Sequence, residues 1–304
     1  MPRARLDEAR RRRGKRRNLG QTVLLVAALG ALMALLGNML FGPAAVLWFI
    51  AAGAFMLLLG PSVPTGLVLA INRARPIPPG LLPELHAVVA ELSRRAGLKA
   101  APRLYYLPSA TANAFTTGGK GEAAIALSDG MLRLLDAREM VGVLAHEIAH
   151  LRNNDLFVLQ IGGALTRMTI GLAWFGLIML LLALPAVLAG AADVSLAGAF
   201  LLAVAPWAGG LLLMALSRTR EFDADLDAAT LTGDPTGLAA ALRKLEDVRG
   251  DPWLKLIFPG RGGGEPDLMR SHPPTGERIQ RLLALSPEPL MPRLSLPPAF
   301  FGWP

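Results

Sequence analysis

The sequence predicts an α+β integral membrane protein, with four transmembrane helices and a mainly helical cytoplasmic domain that carries a short β-sheet. Composition is the first reason: of 304 residues, 53% are hydrophobic and only 18% charged, too apolar for an ordinary soluble domain. The second is the distribution of charge. No charged residue occurs from Asn18 to Asn72, and from Met168 to Ser217 there is only Asp193, whereas about 20 apolar residues suffice for a helix to cross a bilayer. The third is that the remaining segments are polar and alternate between helical and strand periodicities. The absence of cysteine excludes disulfides, zinc ribbons, thiolate nucleophiles and iron–sulfur clusters, so any metal must be held by His and carboxylates.

Residues 1–19 form a basic N-terminus. Nine Lys/Arg (Arg3, Arg5, Arg10, Arg11, Arg12, Arg13, Lys15, Arg16 and Arg17) stand against Asp7 and Glu8, which localises +7 of the chain's net +8. A basic block directly ahead of an apolar run reads as a cytoplasmic anchor facing anionic lipid. It lacks the stacking aromatics of a single-strand nucleic-acid site, so no nucleic-acid partner is expected. The apolar stretch that follows is far too long for a cleaved signal peptide. Residues 20–72 hold transmembrane helices 1 and 2, one near 20–41 and one near 44–70, separated at Gly42 and Pro43 and with a kink expected at Gly60, Pro61 and Pro64. Residues 158–217 hold helices 3 and 4, separated by the 190–195 turn. Lys and Arg flank the opposite ends of these spans and avoid both turns, which predicts cytoplasmic termini and cytoplasmic polar segments at 73–157 and 218–285.

Within the first polar segment, residues 79–97 predict a helix burying Leu85, Val88, Val89 and Leu92. Strands are expected at 103–107, 112–117 and 123–127, the last two joined by the turn Gly118, Gly119, Lys120, Gly121. A helix follows over 137–154, its start fixed by a capping box of Asp136 with Glu139. The second segment predicts helices at 219–231, 236–248 and 275–285, with a flexible loop at Arg261 to Gly264. Residues 286–304 form a Pro-rich tail ending Phe300, Phe301, Gly302, Trp303, Pro304, which favours an extended segment packing its aromatics on the domain or the bilayer interface; a self-docking inhibitory role is the other reading.

The chemistry lies on the 137–154 helix, which reads His146, Glu147, Ile148, Ala149, His150. Two His at i and i+4 share one face and can chelate one zinc ion, and the Glu beside the first His can take a proton from a metal-bound water. Val141, Leu144, Ile148 and Leu151 supply an apolar stripe that buries the helix. A catalytic zinc wants a third protein ligand and an open position. The candidates are His86, His272 and a carboxylate, of which Glu221 stands out at the start of a helix after the fourth span. Asp225, one turn later, is placed to accept from a ligand His N–H. Alone, Glu221, Asp223, Asp225 and Asp227 could equally be a juxtamembrane acidic cluster balancing nearby arginines. Topology favours the ligand reading, because two intervening spans return Glu221 to the side of His146 and His150.

The ordered set H-E-I-A-H, two spans, S-R-T-R-E-F-D-A-D (217–225) and S-H-P-P-T-G-E-R (271–278) resembles the HtpX-type membrane zinc metalloproteases, relatives of the CAAX prenyl proteases. The resemblance covers essentially the whole chain. It implies a zincin-like protease domain, one zinc ion held by His146, His150 and Glu221, and Asp225 orienting a ligand His. It also implies that Asn113, Ala114 and Phe115 form an edge strand that pairs with an extended substrate; read alone, they are a strand in a hairpin. His272 is placed by the same pattern near the active site, where it could donate to the developing oxyanion; its alternative is a polar residue in a turn. Arg278 either pairs with a nearby carboxylate or does not. The Arg-rich extension before the first span is longer than the family pattern.

The expected activity is zinc endopeptidase action in the cell inner membrane, with the active site facing the cytoplasm, Glu147 as general base, and misfolded or damaged membrane proteins as substrates in a quality-control or stress response. Competing readings are a CAAX-type protease acting on prenylated C-termini, a membrane adaptor that binds clients without cutting them, and a polybasic nucleic-acid tether.

Overall fold

The computed structural model describes residues 8–44, 47, 64–118, 122–191, 193, 195–250 and 275–285. Most of the expected second span, His272, the 261–264 loop and the 286–304 tail lie outside them. The elements are α1 (Glu8–Phe41), α2 (Thr65–Ile71), β1 (Arg75–Pro76), α3 (Pro83–Ala96), β2 (Arg103–Leu107), β3 (Ala114–Thr117), β4 (Ala124–Ser128), α4 (Asp129–Leu134), α5 (Ala137–Asn153), α6 (Asp155–Leu188), α7 (Leu196–Thr232), α8 (Pro235–Gly250) and α9 (Thr275–Leu283). They divide between a polar unit (residues 1–18, 62–156 and 220–304) and an apolar unit (19–61 and 157–219). Helices α1, α6 and α7 contribute residues to both.

Three described helices are long and apolar enough to cross a membrane: α1 from Arg13, α6 and α7. Within the apolar unit large hydrophobic side chains lie both inside, as Leu29, Leu36 and Leu216 do, and on the surface. Large side chains such as Leu188, Phe200 and Trp207 are exposed, while Ala173, Ala205 and the flank of Gly176 are buried. Small residues are what let helices approach where the surroundings are as apolar as the side chains. A Cβ on Gly162 would fall 2.6 Å from Leu216 Cδ2, and one on Gly176 would fall 2.5 Å from Leu202 Cδ2. Phe41 and Phe175 stack with ring centroids 5.6 Å apart.

The polar unit is built on a four-stranded sheet in the order β1-β2-β4-β3. β2 and β4 are parallel, from Arg103 opposite Ala124 to Leu107 opposite Ser128, and β1 and β3 pair antiparallel on the outer sides. All five residues of β4 are buried, as expected of a central strand covered on both faces. β1, two residues with a proline, has no periodicity from which to be predicted. The expected face of α3 (Leu85, Val88, Val89, Leu92) is buried in the main core together with Ile125, Leu127, Met140, Leu144 and Leu238. The helix begins at Pro83 rather than at 79, because proline suits the first helical position. The segment expected as a separate helix at 219–231 is the continuation of α7.

Helix α5 is fixed at both ends. Asp136 Oδ1 accepts from Glu139 N–H and Glu139 Oε2 accepts from Asp136 N–H, each at 2.9 Å, which is the expected capping box. Asn154, at φ 60°, ends the helix in the left-handed conformation. From Glu139 to Ala149 α5 is buried, and at Gly142 it approaches α8 so closely that a Cβ would lie 2.8 Å from Leu238 N. A rigid, buried helix is what a precise ligand geometry requires.

Candidate metal centre

His146, Glu147 and His150 sit on α5, and Glu221 reaches them from α7. One donor atom from each of His146, His150 and Glu221 lies within 4.8 Å of the others. In detail, His146 Nε2 is 3.1 Å from His150 Nε2 and 3.5 Å from Glu221 Oε2, and His150 Nε2 is 3.6 Å from Glu221 Oε1. Tetrahedral zinc with bonds of about 2.0–2.1 Å needs donor atoms about 3.3–3.4 Å apart. The spacing and the donor set, two imidazoles and a carboxylate, therefore fit such an ion.

The far side of each imidazole is tied down, so both Nε2 atoms are left to converge. Asp225 Oδ1 lies 3.1 Å from His146 Nδ1, and Asp155 Oδ2 lies 2.8 Å from His150 Nδ1. Carboxylates in this position fix the tautomer and orientation of a ligating imidazole. Burial opposes charging His146, yet the hydrogen bonds to Asp225 and Glu221 outweigh it and push the imidazole up to about 10. A cation seated among these atoms would compete with that proton.

Arg278, from α9, settles the pairing question left by the sequence. It donates Nε to Asp225 Oδ2 at 2.7 Å and Nη2 to Asp225 Oδ1 at 2.6 Å, and its Nη1 is 2.9 Å from Glu221 Oε2. Burial disfavours the guanidinium charge, but Asp225 and Glu221 more than compensate and raise its pKa. Such a bidentate fork fixes two carboxylates at once. Glu147 is also held: its Oε2 accepts from Thr116 Oγ1 at 2.6 Å.

Thr116 belongs to β3, and the sheet order puts β3 at an edge. Ala114 and Phe115 lie on that strand and Asn113 immediately precedes it, its N–H donating to Ser128 Oγ at 2.8 Å and its carbonyl accepting from Ser128 N–H at 3.0 Å. The structure thus brings together His146, Glu147, His150, Glu221, Asp225 and the 113–115 segment in one unit, and His272 lies outside the described residues. Sequence reasoning missed Asp155, Thr116 and Arg220. Asp155 had a signal in its position five residues after His150, across the asparagine that ends α5. Thr116 had only strand alternation.

Residues 81–286 match peptidase family M48. The chain belongs to peptidase family M48. Its relatives include a protease HtpX homolog of Kineococcus radiotolerans, 40% identical over 73% of this chain and 79% of that one. Another, from Paraburkholderia phytofirmans, is 33% identical over 88% of this chain and 97% of its own. Among solved structures, S. mikatae Ste24p shares the fold with a TM-score of 0.51 at 21% identity, covering 89% of this chain and 66%, just under two thirds, of that one. The M48 chain is a membrane-embedded metalloprotease, a relative of the Ste24p fold.

Proposed function

We propose that this M48 protein is a zinc endopeptidase in which His146, His150 and Glu221 hold the metal and Glu147 is the general base. The observation that carries the reading is the convergence of the two imidazole Nε2 atoms, 3.1 Å apart, on the Glu221 carboxylate, whose Oε2 lies 3.5 Å from one and Oε1 3.6 Å from the other, spacings near those of tetrahedral zinc. When bound, zinc supplies Lewis-acid polarisation of the scissile carbonyl and lowers the pKa of a water. Glu147, next to His146 and steadied by Thr116, accepts the proton of that water and returns it to the leaving amine. Asp225 and Asp155 hold the two imidazoles, and Arg278 holds the Glu221 and Asp225 carboxylates in place. An extended substrate adds to β3 at Asn113, Ala114 and Phe115, so that its peptide lies alongside the strand that carries Thr116. His272 donates to the oxyanion.

The same reading gives four spans, a cytoplasmic site and an inner-membrane location, supported by the segregation of Lys and Arg to one end of each apolar run. Its substrates are misfolded or damaged membrane proteins, supported by the likeness to proteins described as HtpX homologs.

The test is purification in detergent with chelator present, then cleavage of an unfolded protein before and after adding zinc, with Glu147→Gln as control. Zinc-dependent cleavage that disappears in the variant while metal is retained supports the roles. Loss of metal together with activity in Glu147→Gln overturns the assignment of Glu147 as base rather than ligand.

A further inference from the structure

The basic start of α1 has two faces. Arg13, Arg16 and Arg17 are exposed, but Lys15 is only partly so and Asn18 is buried. A Cβ on Gly14 would meet Leu226 Cδ2 at 3.5 Å, ordinary contact with α7. The inner face carries polar groups at i and i+3, which helical geometry turns the same way. Both engage buried carboxylates. Asn18 Nδ2 donates to Asp223 Oδ1 at 2.5 Å, and Lys15 Nζ donates to Asp227 Oδ2 at 2.8 Å.

Each carboxylate leads back to α5. Asp223 Oδ2 also pairs with Arg220 Nη1 at 2.9 Å. Arg220 Nε donates to Asp155 Oδ1 at 2.6 Å, and the other oxygen of Asp155 meets His150 Nδ1 at 2.8 Å. Every link uses a different atom, so no group has to choose between neighbours. In parallel, Asp227 Oδ2 accepts from Asn153 Nδ2 at 2.9 Å, three residues beyond His150 at the end of α5. Asn18, Asp223, Arg220, Asp155 and Asp227 are all buried, where losing a partner is costly and hydrogen bonds fix geometry narrowly; Asp227 takes both of its donors on Oδ2, and its Oδ1 has Arg152 Nη1 only at 3.9 Å.

We propose that Asn18 and Lys15 are positioning residues of the metal centre: Asn18 fixes Asp155, and through it His150, by way of Asp223 and Arg220, and Lys15 holds the end of the α5 helix that carries His150 by way of Asp227 and Asn153. The inference rests on the reading of His146, His150 and Glu221 as zinc ligands. It assigns the basic segment two roles on two faces: Arg13, Arg16 and Arg17 are free for solvent or lipid headgroups, and Lys15 and Asn18 belong to the protease site. Groups that orient metal ligands from outside typically change affinity 10- to 100-fold when removed; Asn18 acts on Asp155 through Asp223 and Arg220, so the expected effect is the low end of that range, about 10-fold.

The experiment uses the full chain in detergent. It compares wild type with Asn18→Ala, Asn18→Asp, Lys15→Met, the exchange Asn18→Asp with Asp223→Asn, and Arg13→Gln/Arg16→Gln/Arg17→Gln. Three quantities are read: the zinc dissociation constant by competition with a chromogenic chelator, kcat and KM on an unfolded protein, and thermal unfolding in excess chelator. Asn18→Asp, which sets one carboxylate against another, is expected to weaken zinc about 10-fold and to lower kcat with KM within twofold, beyond what the accompanying fall in metal-free unfolding temperature accounts for. The exchange restores both, because donor and acceptor have traded places, and the triple Arg variant changes neither. Zinc affinity within twofold of wild type in every Asn18 and Lys15 variant overturns the proposal. So does a loss of affinity that merely tracks the metal-free unfolding temperature, since the contact then only holds the helix. Should Asn18→Asp fail to fold, Asn18→Ser gives the same decision. Wild type that binds no zinc defeats the metal reading itself, whereas wild type that binds zinc with unaffected variants defeats only the role of α1.

Discussion

The two units both bury aliphatic side chains but differ in the charge they bury. The polar unit takes charge inside: Glu139, Glu147, Asp155, Arg220, Glu221, Asp223, Asp225, Asp227 and Arg278 are all buried there. The apolar unit buries no Asp, Glu, Lys or Arg among its described residues; it hides alanine, glycine, threonine and leucines such as Leu29 and Leu36, and turns many other leucines, phenylalanines and tryptophans outward. The difference is one of directionality. Dispersion contacts between small residues tolerate many near-equivalent helix placements, but a carboxylate with two or three assigned donors tolerates one. Precision is thus concentrated where reacting atoms must be held, and the apolar unit supplies closeness of packing without it.

The sharpest way to break that contrast is at Glu147. Glu147→Gln preserves shape and the acceptor for Thr116 but not the basicity, and kcat is expected to fall about 100- to 10,000-fold with zinc stoichiometry unchanged. A modest loss, within about tenfold, would mean that the proton goes elsewhere.

Next in size is Arg278. Arg278→Met leaves Asp225 and Glu221 buried against each other without their shared guanidinium, and breaking a buried pair from one side costs about 3–5 kcal/mol. Denaturant unfolding of the chelator-treated protein reads this. Replacing Arg278 and Asp225 together, by Met and Leu, should recover a good part of the stability while zinc affinity stays low. A double variant as unstable as the single one would show that the pair is held by its surroundings rather than by its own charges.

In the apolar unit the equivalent lesion is steric. Gly176→Leu must displace Leu202 and is expected to cost about 1–3 kcal/mol, the usual range for overpacking, whereas Leu182→Ala on the exposed surface should change little. The comparison fails if the two variants unfold alike in the same detergent.

How much of this was readable in the sequence follows the same division. The apolar runs, the α3 face at Leu85 to Leu92, the capping box at Asp136 and the H-E-I-A-H face are periodic or local signals, and each carries its own mechanism. Glu221 was legible because it follows two spans after the histidines, an argument from topology. Thr116, Asp155 and Arg220 were not, because their meaning comes from which carboxylate or imidazole they face after folding, and no spacing rule encodes that. Lys15 and Asn18 show the limit most clearly: Lys15 looks like more of the solvated charge around it and Asn18 like a neutral residue at its end, and only their contacts with Asp227 and Asp223 separate them from the arginines.

The smallest expected effect tests whether the directional rule extends to the surface of the polar unit. Asp234 caps α8: its Oδ1 accepts from Gly237 N–H at 3.2 Å and from Thr236 Oγ1 at 2.7 Å, and Arg138 from α5 donates Nη2 to the same oxygen at 2.7 Å. Although burial works the other way, the hydrogen bonds from Arg138 and Thr236 hold the carboxyl at about 2, below its ordinary 3.8. A carboxyl depressed on folding stabilises at pH values above its unfolded pKa and loses that contribution as pH falls through the folded one. Asp234→Ala should therefore cost about 1 kcal/mol at neutral pH, the figure for a helix cap with a solvent-screened ion pair. The gap to wild type should shrink to roughly half by pH 3, read by denaturant unfolding at pH 7, 5, 4 and 3. A gap that stays constant across that series would assign the stabilisation to the cap geometry alone, and the charge on Asp234 would then contribute nothing. A gap that widens as pH falls would require a carboxyl raised rather than lowered on folding, and the hold of Arg138 on it would be absent in solution.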